Sequence, residues 1–211
     1  TNIAVRFVML IALPCAVGMG VLAKPILMLL FHEISPMAVH MLQLASFTIV
    51  FYSMSTLTNG ILQGIDRMKI PVQNAIIALL CQVVIAISLM YFLKMGIYGI
   101  LVSNIAYSVI MTGINSYAIR KHMRYRQELA KTIMLPAFAS GMMGVAVYYC
   151  YQGMHQLIAY NPLDTVVSIV AGVIVYAFLI VVLKGVSKEE MESMPMGGRL
   201  SRLFCKMHLM K

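Results

Sequence analysis

The chain has 211 residues, of which 61% are apolar and only 11% charged. An ordinary soluble domain carries about 25% charged residues, so this composition excludes a soluble globular protein. The net charge is +9, but the Lys and Arg residues gather in loops and near the C-terminal end. That distribution favours contacts with anionic lipid headgroups and argues against a nucleic-acid partner.

Six long apolar stretches follow one another along the chain. A hydrocarbon core about 30 Å thick needs about 20 apolar residues of helix to cross it. We predict six transmembrane helices, at 3–31, 37–62, 70–93, 97–119, 129–151 and 163–183. The sequence therefore predicts an all-α protein, a polytopic transmembrane helix bundle. Because the chain starts without Met or a signal peptide, we expect a fragment of a larger protein.

The first stretch contains three residues that are unusual in a membrane helix. Pro14 and Pro25 predict a kink, because proline cannot donate a backbone hydrogen bond within a helix. Lys24 lies about 30 Å along the helix, at the predicted outer interface, where its ammonium group reaches the headgroups. A charge with a role in a pore is the alternative explanation of Lys24.

Basic residues alternate between successive loops. Lys and Arg occur after the second and fourth stretches and after the sixth, whereas the loops after the first and fifth contain neither. The turn after the third stretch has only Lys94. Since Lys and Arg near the ends of spans mark the cytoplasmic side, we predict both ends of the chain in the cytoplasm of a bacterial cell, with the spans in its cell membrane.

Polar side chains recur at helical spacing in the second and fourth stretches. Polar groups at membrane depth are costly, so each needs an explanation. They either join helices through hydrogen bonds or line a polar cavity, and the sequence leaves both explanations open. The stripes they form give six candidates for a cavity wall: Ser55, Asn59, Gln63, Asn104, Ser108 and Asn115.

The fifth and sixth stretches contain few polar residues. Their proline and small residues let two helices approach closely or leave a shallow groove between them. We take four of these as candidates for an apolar groove: Pro136, Gly141, Gly144 and Gly172. The four cysteines and five histidines are scattered along the chain, so we predict no metal site, no cofactor and no catalytic constellation.

The residues after the sixth stretch differ from the rest. Ser187 and Glu190 form a capping box, which predicts the start of a short helix. Further on, apolar residues share one helical face and basic residues lie elsewhere, as in a helix on a membrane surface; a solvated tail is the alternative. We therefore divide the chain into four helices at 1–122, a final helix pair at 123–186 and a basic cytoplasmic tail at 187–211.

Short motifs along nearly the whole chain, in this order and spacing, resemble one group of transporters. They are Arg6 to Gly18, Leu22-Ala-Lys-Pro25, Leu29-Leu-Phe31, Leu62-Gln-Gly64, Lys69-Ile-Pro71, Gly96-Ile-Tyr-Gly99 with Asn104, and Val186-Ser-Lys-Glu-Glu190. They resemble the bacterial polysaccharide and lipid II flippases of the MOP (multidrug/oligosaccharidyl-lipid/polysaccharide) exporter superfamily, including the stage V sporulation protein B type.

The resemblance implies a fold of about fourteen helices in two lobes, of which this chain is similar to the last six. It implies a transporter that moves an undecaprenyl-pyrophosphate-linked saccharide, such as lipid II, from the inner to the outer leaflet. The partners are then this lipid-linked saccharide, the membrane lipids and the missing N-terminal lobe. That lobe would hold the cations that bind pyrophosphate, while the last two helices form a groove for the polyprenyl tail.

Three other functions stay open. A drug/cation antiporter of the same superfamily shares the bundle but usually has a carboxylate within the membrane. An integral membrane enzyme acting on polyprenyl phosphates needs clustered His, Asp or Arg at one membrane face, which the sequence lacks. A scaffold without transport activity is the third. We therefore expect a transporter rather than an enzyme.

Overall fold

The computed structural model describes residues 2–31, 35–123, 129–157 and 161–182. These residues contain α-helices and no strand, which confirms the predicted all-α polytopic bundle. The helices are α1 (Asn2–Val21), α2 (Ala23–Phe31), α3 (Pro36–Gly64), α4 (Lys69–Tyr91), α5 (Ile97–Met123), α6 (Leu129–Leu157) and α7 (Asn161–Val182). The predicted tail 187–211, with its capping box, lies outside the described residues.

Among the described residues, five helices are long and apolar enough to cross a membrane. They comprise Ile3–Val21, Pro36–Gly64, Lys69–Tyr91, Ile97–Lys121 and Pro162–Val182. The predicted fifth span corresponds to α6, a helix of 29 residues that is not among these five. A membrane crossing by α6 therefore stays a prediction.

The first predicted span consists of two helices instead of one. Pro25 has no N–H and cannot donate to the carbonyl of Val21, four residues earlier, and the chain is interrupted at Leu22, between α1 and α2. The Leu22 amide still donates to Gly18 at 2.9 Å, which keeps the two segments connected. Pro14 does not interrupt α1, which continues past it to Val21.

The helices form a row in which α1 is central. α1 packs against α3 on one side and α6 on the other, α5 and then α4 extend the row beyond α3, and α7 packs against α6. The α1–α3 contact contains the buried cluster Val5, Met9 and Met54. The contact of α1 with α6 and α7 contains Leu10, Ala139 and Ile180.

The two helices at the ends of the row, α4 and α7, present continuous apolar surface. Their exposed side chains include Leu80, Val84, Ile87, Val173, Ile174 and Phe178. In a helix all backbone hydrogen bonds are made within the segment, so such a surface is compatible with lipid. The arrangement therefore places α1, α3, α5 and α6 between these two apolar outer helices.

Candidate functional site

Polar side chains of α3, α4 and α5 form one buried hydrogen-bond network. At its centre is Asn115 of α5, which is fully buried. Its amide nitrogen donates to Asn59 Oδ1 at 2.6 Å and to Thr58 Oγ1 at 3.1 Å, both on α3. Its Oδ1 accepts a hydrogen bond from Asn74 Nδ2 of α4 at 2.8 Å. The network therefore joins three helices.

Two further cavity candidates, Ser55 and Ser108, are also buried between helices. The Ser108 hydroxyl donates to the Asn104 carbonyl at 3.1 Å, and the carbonyl of Ser55 accepts from Thr58 at 2.8 Å. Both of these bonds lie within a single helix, so of the three buried candidates it is Asn115 whose side chain bonds to other helices, as expected for a residue that joins them. The place of all three in a cavity wall stays a prediction.

The remaining cavity candidates differ, because Gln63 and Asn104 are exposed and Asn59 is half-buried. Asn104 lies seven residues into α5, about 10 Å along the helix. Its Oδ1 accepts a hydrogen bond from Gln82 Nε2 of α4 at 2.8 Å. An exposed amide pair at this depth is costly against lipid tails. This surface of α4 and α5 is therefore the best candidate for a polar wall.

A groove between α1 and α3 contains hydroxyl groups that the sequence does not single out. Its volume is about 730 Å³, and its lining includes Tyr52, Ser53 and Thr56 of α3. Thr56 donates to the Tyr52 carbonyl at 2.9 Å. Hydroxyl residues occur on several faces of α3, so their spacing alone does not distinguish Ser53 and Thr56 from the predicted candidate Ser55. What distinguishes them is which face of α3 lies along the groove with α1, and the sequence does not reveal that face.

A second groove lies on the other side of α1, between α1, α2, α6 and α7. Its volume is about 440 Å³ and its lining is almost wholly apolar. Ile11 and Cys15 of α1 border both grooves. The lining of the second groove includes Gly18, Leu22, Val147, Gly172, Val173 and Tyr176. Gly172, a predicted groove residue, is therefore part of its wall.

Two of the predicted groove glycines allow their helices to approach closely. A Cβ atom on Gly144 would lie 2.6 Å from Val17 Cγ1 of α1, and one on Gly172 would lie 2.6 Å from Val147 Cγ2 of α6. Both contacts are far inside van der Waals distance, so only glycine permits this spacing. Gly144 sets the α1–α6 distance and Gly172 the α6–α7 distance, which together define the groove walls.

The other two predicted groove residues lie elsewhere. Gly141 is on the exposed surface of α6, where a Cβ atom would meet no other atom within 4 Å. It lines a separate shallow depression with Ala137, Phe138 and Val145. Pro136 is buried, and its carbonyl accepts a hydrogen bond from the Ser140 hydroxyl at 2.6 Å.

The model of one protein family, the lipid II flippase MurJ, matches residues 1–166. The chain belongs to the lipid II flippase MurJ family. This confirms the resemblance to flippases of the MOP superfamily, and the family is one of membrane transporters; the match does not single out the stage V sporulation protein B type. No curated protein and no solved structure matches the chain.

The MurJ family match includes the amide network and both sides of α1. It ends within the first two turns of α7, so Gly172 and Tyr176 lie beyond it. Among the described residues of this family member, no group of three or more His, Cys, Asp or Glu is suited to hold a metal ion. Its hydrogen-bonded amides lie on α3, α4 and α5, whereas the groove between α1, α2, α6 and α7 is lined by hydrocarbon.

One acidic residue of this MurJ family member is fully buried. Asp164 lies in the first turn of α7, which starts at Asn161. A carboxylate in the first turn of a helix interacts favourably with the helix dipole. The Asn161-Pro162 pair is a helix-start signal, and α7 starts two residues before the predicted bound at 163.

Proposed function

We propose that this chain is part of a flippase that moves an undecaprenyl-pyrophosphate-linked saccharide, such as lipid II, from the inner to the outer leaflet for peptidoglycan or polysaccharide synthesis. Membership of the lipid II flippase family and the apolar helices support a role in moving lipid-linked precursors. The observation that carries the proposal is the apolar groove between α1, α2, α6 and α7, which provides a site of the right chemistry for a polyprenyl tail.

Transport of such a lipid requires two chemically different surfaces. A pyrophosphate-linked sugar cannot cross hydrocarbon unaided, because burial of its charge without partners is prohibitive. The tail, in contrast, stays in an apolar environment throughout. The exposed amides of Gln63 and Asn104, with Gln82 beside Asn104, supply polar groups for this lobe's share of the path of the head. The groove on the other side of α1 supplies hydrocarbon for the tail.

Alternating access is the mechanism by which the head would pass from one side to the other. In this proposal residues 1–122 belong to the second of two lobes, 123–186 form the helix pair that completes the groove, and 187–211 form a cytoplasmic tail. A first lobe supplies the cationic residues that bind pyrophosphate, and rocking of the lobes exposes the cavity to each side in turn. The amide network centred on Asn115 supports movement of α3, α4 and α5 as one unit.

A complementation assay in a strain that lacks its own flippase tests this proposal in the full-length protein. Asn104→Leu and Asn59→Leu are expected to impair growth more than Gln152→Leu, because Gln152 is exposed near the end of α6 and bonds only Tyr148 of its own helix among the contacts described. Protein levels and melting temperatures separate a transport defect from misfolding. Equal growth with all three variants would remove Asn59 and Asn104 from the path of the head.

A drug/cation antiporter is the second candidate function, and one observation favours it. Asp164 is the only acidic residue that is buried within the described part of the chain, and an antiporter of this superfamily would use such a carboxylate for its ion. The buried position in the first turn of α7, rather than at mid-membrane, fits this function less well. Loss of ion-coupled drug efflux in Asp164→Asn, with lipid flipping retained, would establish the antiporter instead.

A further inference from the structure

A proline in α1 leaves one backbone carbonyl without its helical donor. In a regular α-helix the N–H of residue 14 donates to the carbonyl of residue 10, but Pro14 has no N–H. The hydroxyl of Tyr176, on α7, donates to the Leu10 carbonyl at 2.8 Å. An unsatisfied backbone group in hydrocarbon is costly, so this bond holds the Tyr176 ring in one position against α1.

Tyr176 lies at one end of the apolar groove. Leu10 and Tyr176 both line the groove, and no residue closer to the start of α1 or to the end of α7 does. The next turn beyond them is filled, because Leu10, Ala139 and Ile180 form a buried cluster against which Phe7, Leu135 and Leu179 pack. The Tyr176 ring therefore separates open groove from packed core.

The groove is open sideways, and the exposed residues at its opening are apolar. Ile11 and Val173 line it and remain 66% and 64% exposed, which suits contact with lipid and not with water. Along α7 its lining runs from Ile169 to Tyr176, about 10 Å, so it is elongated along the helices. An apolar chain that enters from the bilayer and lies parallel to the helices fits this shape.

We propose that Tyr176 is a specificity-determining residue: its ring forms the floor of the groove and limits how far a polyprenyl chain can enter. The hydroxyl bond to Leu10 is the means by which the ring keeps that position. This inference rests on the proposed function, since it takes the tail of a polyprenyl lipid as the occupant. It adds a selection by chain length, which the presence of a tail groove does not by itself imply.

The ring and the hydroxyl of Tyr176 have separable effects. Tyr176→Ala removes the ring and extends the groove toward the Leu10 cluster, so a longer chain gains contacts. Tyr176→Phe keeps the ring and removes only the hydroxyl, with the hydrogen bonds it makes, so the floor stays in place and the protein becomes less stable. Tyr149→Ala is a matched control, because Tyr149 of α6 is 68% exposed and does not line the groove.

The experiment uses the full-length protein in lipid nanodiscs, with short-chain and long-chain polyprenyl phosphates that share one headgroup and carry a photoreactive group at the end of the tail. We expect wild-type protein to crosslink near Leu10 and Tyr176. Tyr176→Ala should raise the ratio of long-chain to short-chain affinity at least about fourfold, the value of one more buried methylene group, and move the crosslink toward Ile180. The ratio for Tyr176→Phe and Tyr149→Ala should stay within about twofold of wild type.

The outcomes separate this inference from the proposed function. Crosslinking in the groove of wild-type protein, with an unchanged affinity ratio in Tyr176→Ala, would overturn the floor while the tail groove stands. Crosslinking of phospholipid acyl chains but not of polyprenyl chains would overturn both. If Tyr176→Ala does not fold, Tyr176→Val replaces it with the same expected direction of change and the same two outcomes.

Discussion

The amide nitrogen of Asn74 lies 2.8 Å from Oδ1 of Asn115, and both side chains are buried between α4 and α5. Because the amide of Asn115 also donates to Asn59 and Thr58, both its N–H groups and its oxygen have partners. A buried polar network in which every member is satisfied gives a fixed arrangement of helices, whereas one with an unmatched group is costly. We therefore expect this arrangement of α3, α4 and α5 to depend on Asn115, which bonds to both of the other helices.

Replacement of Asn115 tests that dependence. Asn115→Leu removes three hydrogen bonds at once and leaves the amide of Asn74 buried without this partner. We expect a loss of about 1–3 kcal/mol in the free energy of unfolding, the usual cost of a buried group left unsatisfied, measured by denaturation in detergent micelles. Gln43→Leu is the control, since Gln43 is exposed and its bond to the Gly20 carbonyl is 3.4 Å long. An equal loss in both variants would contradict a special role for the network.

Two glycines three residues apart in α6 provide a second prediction. Gly144→Ala places a Cβ atom 2.6 Å from Val17 and forces α1 and α6 apart, at a cost of about 1–3 kcal/mol. Gly141→Ala meets open space and is expected to be neutral or slightly stabilising, because alanine favours helix by up to about 1 kcal/mol over glycine. Melting temperatures of the two variants check the difference. Similar values would show that α1 and α6 are less closely packed than described.

The membrane orientation gives a third prediction. Met68 and Leu93 are 63% and 61% exposed, in the turns on either side of α4. With the native cysteines replaced, a membrane-impermeant maleimide should label Leu93→Cys in intact cells, and Met68→Cys only after the cells are opened, because the basic turn is expected to stay in the cytoplasm. Labelling of Met68→Cys in intact cells would reverse the orientation and with it the proposed direction of transport.

The sequence predicts where the helices lie along the chain much better than it predicts which helices pack against each other. The length of each apolar stretch is enough to place a helix, and the break near Pro25 follows from a missing backbone donor. Which face of a helix meets which other helix depends on contacts distant in the chain. Gly141 and Gly144 have the same chemistry and almost the same position, yet only Gly144 faces α1. A helical period fixes which residues share a face but not what that face contacts.

The candidate site shows the same limit with polar residues. The sequence marks Asn59 and Asn115 as polar groups that need an explanation, and the structure supplies it, because they bond each other across two helices. The hydroxyls that line the groove along α1 are instead those of Tyr52, Ser53 and Thr56. Polar residues occur on several faces of α3. Their number predicts that the helix has a polar surface, but the helices that pack against α3 determine which of its polar faces stays exposed.

A double-mutant cycle tests the physical basis of the bond between Tyr176 and Leu10. Tyr176→Phe alone should reduce the free energy of unfolding by about 1 kcal/mol, a typical value for one hydrogen bond. Pro14→Ala restores an N–H that can donate to the same carbonyl, so in that background Tyr176→Phe should cost less, with a coupling of at least about 0.5 kcal/mol. Pro25→Ala lies beyond the break between α1 and α2 and should be additive with Tyr176→Phe. Additivity with Pro14→Ala as well would mean that the Leu10 carbonyl does not depend on Tyr176 for its hydrogen bond.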